Sequence, residues 1–338
     1  MDIGFTMPTH GLLTRDERDF FLQRIEPDQV RAFEFGRRAE ALGYHSLWFS
    51  DHIVMGKDLD MFYPANLSGT KAYPQKPTMF DQAVVMGGLA AITTTIKFAP
   101  SVWIAPYRHP LSTAHQFATI DQLSEGRLIF GIGPGWEEQE FAALNANFKR
   151  KGAETEECVA VLKAAWTQEY VDFEGEFFSI KNVSMEPKPF QKPYPPILWG
   201  GTTEIGAKRA ARCSDGLYTV HLDPYPGVGV WSALKETALR EGEKAGRDMS
   251  SFWYGSFCSA RIVDADDPLA QGDTRPTLTG TAEQILEELE QFADEGYHHI
   301  TFHPHIPSAT IEEFFEQAER FADEVLPEAK KIKTKPFA

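Results

Sequence analysis

Two short stretches combine residue types that can move protons and hold anions. Ser50-Asp51-His52 follows the apolar run Ser46–Phe49. Histidine titrates near neutral pH and can give or accept a proton, and Asp51 could orient its ring. On residue types alone, a histidine packed at a strand end and bonded to backbone is an equal reading. The second stretch is Gly200-Gly201-Thr202-Thr203, just before a helix expected to begin at Glu204. Small residues let backbone N–H groups approach an anion, a helix start presents its positive end, and threonine hydroxyls add donors. An ordinary glycine turn with a threonine N-cap would read the same, and Glu204 must then point away. Trp48, Trp103, Trp136 and Trp199 fall near the ends of apolar runs and could wall a flat ring.

These groups need elements to position them. Ile96–Ile104 is β-branched and apolar, Leu111–Leu123 carries apolar residues at helical spacing, and Arg127–Ile132 is a second apolar run. Gly133-Pro134-Gly135 then turns into Trp136-Glu137-Glu138, so the stretch reads as a βαβ unit. Along the whole chain, strands are expected near residues 3, 46, 98, 128, 197, 217, 255 and 299, each followed by a helix. That alternation predicts a single α/β domain over residues 1–338, a (β/α)8 TIM barrel with insertion loops at its C-terminal face. The competing open, doubly wound sheet wants GxGxxG after its first strand, where this chain has Thr6-Met7-Pro8-Thr9-His10.

Smaller expectations accompany the barrel. Thr14–Glu26 reads as a loop or short helix, and Asp28–Leu42 as one amphipathic helix behind Pro27. Thr78 is expected to cap a helix through Ile92, and Ile311–Val325 to form the last helix. Ile53–Pro77 and Asp264–Thr277 read as long loops that choose the substrate.

A barrel carries its site at the C-terminal ends of its strands. That rule selects Thr6 and His10, Asp51 and His52, Ser101, Trp103 and Arg108, the Gly133–Trp136 turn, Gly200–Thr203, His221, Arg261, and finally His303 and His305. The histidine-rich run 298–307 invites a metal reading. No carboxylate recurs nearby and no zinc spacing is met, so polar lining of the mouth is preferred.

The chain has 338 residues, is 42% hydrophobic and 24% charged, and carries a net charge of −16. A nucleic acid or an anionic membrane is a poor partner for such a surface, and a small-molecule substrate is expected. Three cysteines, Cys158, Cys213 and Cys258, form no CxxC pair, which fits a reducing, cytoplasmic setting. The opening segment lacks the basic and apolar regions of a signal peptide.

The central stretch resembles the luciferase-like flavin and deazaflavin oxidoreductases. The resemblance rests on Arg108-His109-Pro110, the run from Phe117 to Gly126-Arg127, and GIGPGW at Gly131–Trp136. It extends to GYHSLWFSDH at 43–52, EGEFFSI at 174–180, PPILWGGTTEIGAKRAARCSDG at 195–216 and LTGTAEQILEELEQFADEGYHHI at 278–300. It implies that His52 lies in the active site with Asp51 orienting it. It also implies a cofactor phosphate at Gly200, Gly201, Thr202, Thr203 and Gly206, and a non-prolyl cis peptide at Ser101-Val102 behind the ring. Thr6, Gly133 and Trp136 complete the cofactor surroundings.

The pattern looks most like the subgroup that uses coenzyme F420. The expected reaction is hydride transfer between that coenzyme and an organic substrate, with His52 as acid or base. The alternative is an FMN-dependent monooxygenase fed by a separate flavin reductase. From other classes come a non-catalytic flavin-binding barrel and a metal-dependent hydrolase using the strand-eight histidines. Family members are often dimers, so a homodimer is expected. Two departures narrow the field. The sugar-phosphate dehydrogenases of the family carry Glu where this chain has Trp136, and its luciferases carry Arg where this chain has Pro134.

Overall fold

A computed structural model describes the chain except for residues 17, 18, 58–62, 64, 65, 67, 223–226, 273, 274 and 338. Parts of the two long loops expected at 53–77 and 264–277 therefore lie outside the described residues.

Eight apolar segments become parallel strands: β1 Asp2–Thr6, β2 Ser46–Phe49, β3 Lys97–Pro100 resuming as Trp103–Ile104, β4 Phe130–Gly133, β5 Ile197–Gly200, β6 Gly216–His221, β7 Trp253–Ile262 and β8 His299–Pro304. Each pairs with the next, β8 pairs with β1, and Trp103↔Ile132 and Phe98↔Leu128 join β3 to β4, so the ring closes. The strands are buried along nearly their whole length, which is why they read as continuous apolar runs rather than alternating ones. Around them lie α1 Ala32–Ala41, α2 Gln82–Ala90, α3 Pro110–Leu123, α4 Glu138–Ala143, α5 Lys151–Thr167, α6 Glu204–Cys213, α7 Ser232–Lys244, α8 Ala282–Asp294 and α9 Ile311–Arg320.

Two cores hold this arrangement. Outside the ring, Phe5 of β1 packs edge-on against Tyr44 and Phe314, and Phe314 meets Phe35 of α1. Burying each such ring contributes about 2–3 kcal/mol. Inside the ring, Trp48 stacks on Tyr218 at 4.3 Å and is backed by Trp253. Polar pairs satisfy the rest of this interior, with the Trp48 indole donating to Ser46 and Tyr218 hydroxyl to Thr301.

Several local expectations change. Leu12–Arg15 and Phe20–Gln23 form an antiparallel hairpin rather than a loop or helix, with Leu13, Phe20 and Leu22 buried. The first helix starts at Ala32, because Arg31 takes a left-handed φ of 47°. Asp81, not Thr78, caps α2, its carboxylate accepting from Val84 N at 3.0 Å, while Thr78 hydroxyl bonds Ile25 carbonyl. The last helix widens into a π-turn at Phe321–Val325 after α9. Val171–Glu174 and Ser179–Val183 pair as a second hairpin, and Thr281 caps α8 in a capping box with Gln284.

Candidate functional site

At the C-terminal mouth of the barrel lies a cavity of about 620 Å³. Its wall includes Asp51, His52, Ser101, Val102, Trp136, Gly200, Gly201, Thr202, Thr203 and Gly206. The structure thus brings most of the expected residues together. Thr6 and Gly133 are buried but are not on that wall. Trp136 and Trp199 reach it, whereas Trp48 and Trp103 belong to the packed interior.

One side of the cavity is shaped by glycines. The Ser101–Val102 peptide is cis and interrupts β3. Val102 then bulges over β4 and β5. A Cβ on Gly133 would meet Val102 Cγ2 at 2.5 Å, one on Gly200 would strike Val102 Cγ1, and one on Gly131 would strike the Pro100 carbonyl. The GIG run and Gly200 are therefore glycine so that a neighbouring strand can approach closely.

Beside the bulge, α6 begins. Thr203 is its N-cap, and its hydroxyl oxygen accepts from Gly206 N at 3.0 Å. Gly201 N donates to Tyr218 carbonyl at 3.0 Å. The Gly201 and Gly206 amides are thus engaged, and an anion here would meet the Thr202 and Thr203 hydroxyls and the first-turn amides of α6. Glu204 turns outward to pair with Lys208 at 2.7 Å. The start of α5, Lys151–Ala153, and Arg209 of α6 line the same edge. Arg209 packs directly on Gly152, and its Nε lies 3.3 Å from Glu156.

Across the cavity stands His52. Its Nδ1 lies 2.7 Å from Glu140 Oε2 of α4, and the two side chains are 4% and 0% exposed. Glu140 also accepts from Tyr107 hydroxyl at 2.9 Å and from the amides of Ile53 and Val54 at 2.6 and 3.1 Å. Burial alone would raise the Glu140 carboxyl. The hydrogen bond and charge of His52, with the two amides, outweigh it and hold that carboxyl below its ordinary range. A carboxylate at Nδ1 keeps the proton on that nitrogen, so Nε2 is the atom free to exchange one.

The expected Asp51–His52 pairing is corrected by this geometry. Asp51 receives Arg108 through two bonds of 2.6 and 2.9 Å and Ile104 N at 2.8 Å, and the Arg108 guanidinium lies 3.7 Å from the Trp103 ring centre. Asp51 therefore ties β2 to the loop after β3. The residue that orients His52 is Glu140, which sequence reasoning missed. An acid in the first turn of a helix is common because it complements the helix dipole, so the run Glu137–Glu140 gave no distinguishing signal. Glu137 is itself fully buried, and burial raises its carboxyl despite Lys71 at 3.9 Å.

Among the described residues no cluster of His, Cys, Asp and Glu could hold a metal. None of their helices is long and apolar enough to cross a membrane.

A closed barrel with its cavity at the strand C-termini, walled by a bulged third strand and a threonine-capped helix start, defines the class. The luciferase-like monooxygenase family model matches residues 5–271, and the chain belongs to that family. Uncharacterised relatives from Mycobacterium bovis and Mycobacterium tuberculosis are 30% identical over 180 residues, and the chain spans 62% of their length. An F420-dependent glucose-6-phosphate dehydrogenase of Amycolatopsis mediterranei is 25% identical over 307 residues, covering 80% of this chain and 87% of the relative. An FMNH2-dependent dimethylsulfone monooxygenase of Pseudomonas putida is 31% identical over 142 residues, covering 41% of this chain and 39% of the relative. The fold matches the FMN-bound oxygenating constituent of 3,6-diketocamphane monooxygenase from Pseudomonas putida, with TM-score 0.71, 17% identity and 99% of each chain covered.

Proposed function

We propose that this protein is an oxidoreductase that moves a hydride between coenzyme F420 and an organic substrate, with His52 as the proton donor or acceptor. The single observation that carries the reading is His52 on the wall of a cavity whose far side is an anion-ready helix start, held from behind by the buried Glu140. When bound, the deazaflavin would supply the hydride chemistry. The residues suited to hold it are Thr202, Thr203 and the first turn of α6 at its phosphate, with Val102 behind the ring.

The protein's own part is positional. Glu140 and Tyr107 fix the imidazole so that Nε2 presents its lone pair, or its proton, to the substrate. Trp136 and Tyr73 stack at 5.9 Å over His52 and exclude water from it. Asp51 and Arg108 brace the strand ends without entering the proton path.

A second reading, an FMN-dependent monooxygenase with a separate reductase, is favoured by the dimethylsulfone monooxygenase relative. The F420 reading has the wider support, since its relative aligns over 80% of the chain rather than 41%. Anaerobic titration with reduced F420 and with reduced FMNH2, followed by admission of oxygen, tests the choice. The first reading expects tighter binding of F420 and no oxygen uptake. Preferential binding of FMNH2 with oxygen consumption overturns it.

A further inference from the structure

We propose that His10 and His303 form a substrate subsite for an uncharged carbonyl or hydroxyl oxygen on a mainly apolar molecule. It rests on the cavity being the active site of the oxidoreductase described above.

The two histidines follow β1 and end β8, neighbouring strands of the ring. The anion-ready edge follows β4 and β5, which lie diametrically across from them in the strand order. Both imidazoles line the cavity, 4% and 2% exposed, with ring centres 5.6 Å apart. His10 Nε2 lies 3.2 Å from Ser50 hydroxyl, and the Nδ1 atoms of His10 and His303 are buried without a hydrogen-bond partner. These Nδ1 atoms have essentially no accessible surface, so a ligand oxygen in the cavity would meet the other edge of the rings, His303 Nε2 and the His10–Ser50 pair.

The chemistry of that oxygen follows from the surroundings. Burial, with a smaller contribution from His52, pushes His10 down to about 3, and burial with the neighbouring His10 pushes His303 well below its ordinary value. Both rings are therefore neutral at physiological pH, each with one N–H and one lone pair. Such a pair donates to a carbonyl and accepts from a hydroxyl, but offers no charge to a phosphate or carboxylate. Phe257 lies 4.9 Å from His303, Tyr73 lies 6.4 Å from His10, and Leu13 and Phe20 of the inserted hairpin complete an apolar wall. The described basic residues on the cavity wall, Lys149, Arg150, Lys151 and Arg209, all belong to the opposite edge. A sugar phosphate held at the histidine end would thus meet no Lys or Arg among the described residues of the cavity wall.

The test is a tryptophan-fluorescence titration with cyclohexanone and with cyclohexanecarboxylate, in buffer containing saturating inorganic phosphate to occupy the anion edge. Cyclohexanone should bind more tightly than the carboxylate. His303→Leu and His10→Leu should each weaken it by about ten-fold, while His303→Gln, which keeps a donor, should stay near the parent. Circular dichroism establishes that each variant is folded. Unchanged cyclohexanone affinity in folded leucine variants, or equal affinity for ketone and carboxylate, overturns the proposal. Titrations of the same samples with reduced F420 and FMNH2 keep the two failures apart. Loss of both cofactors with histidine-dependent ketone binding intact would sink the oxidoreductase reading and leave the subsite standing.

Discussion

His52 and Asp51 are adjacent in sequence yet do different work, and the difference is one of partners. His52 faces Glu140, a carboxylate with four hydrogen-bond donors around it. Removing the ring in His52→Ala should cost on the order of a hundred-fold or more in kcat under saturating cofactor, with cofactor affinity preserved. Glu140→Gln keeps the shape but removes the carboxylate that orients the imidazole, and should lower kcat while cofactor affinity is preserved. Asp51→Asn should behave otherwise. It strips a charge from a mostly buried pair with Arg108 and should lower unfolding stability by about 3 kcal/mol in urea denaturation. A normal urea midpoint for Asp51→Asn would show that the Arg108 brace is dispensable.

At the scale of elements, the cavity wall depends on how closely three strands approach one another. Val102 sits over Gly133 and Gly200, leaving no room for a methyl group. Gly200→Ala should therefore destabilise by about 1–3 kcal/mol through overpacking and displace the bulge. Val102→Ala in the same chain should recover most of that loss, since it removes the atoms struck. Thermal melts of the single and double variants measure this directly, and additive losses would refute the contact. The inserted hairpin at 12–15/20–23 is a second such element. It covers the cavity with Leu13, Phe20 and Leu22 and pairs through Leu13 with His305 of the loop after β8.

At the scale of the whole molecule, buried histidines set the response to acid. Burial lowers His10, His221 and His305 to about 3 and His45 to about 4, and holds His299 and His303 well below their ordinary value. Between these values and 6.5, the unfolded chain binds protons that the native state does not. Stability is then complete above pH 6.5 and falls as the pH drops through this window, by up to about 1.4 kcal/mol per histidine per pH unit. The depressed Glu140 adds a loss at still lower pH, and the raised Glu137 opposes it. Urea midpoints should be flat from pH 7 to 8 and decline steeply below about pH 6. A midpoint unchanged at pH 5 would mean that these rings are not buried neutral.

The ring of strands and helices was legible in the sequence because its signals are local. A buried parallel strand needs a continuous apolar run, a helix needs apolar residues at its own period, and turns need glycine, proline or a capping side chain. Those features lie within a few residues of one another, so β1 to β8 and the helix start after Thr203 could be placed from the chain alone. Partner choice could not. Glu140 reaches His52, and Arg108 takes Asp51, only because α4 and the loop after β3 fold back over the mouth, and nothing in the spacing of these residues encodes that return. The hairpin was missed for the same reason: its polar turn resembles a loop until Leu13, Phe20 and Leu22 find a cavity to cover. Local chemistry decided which segments form strands and helices. Closure of the ring decided which charges meet, because electrostatic pairing acts through space and is blind to distance along the chain.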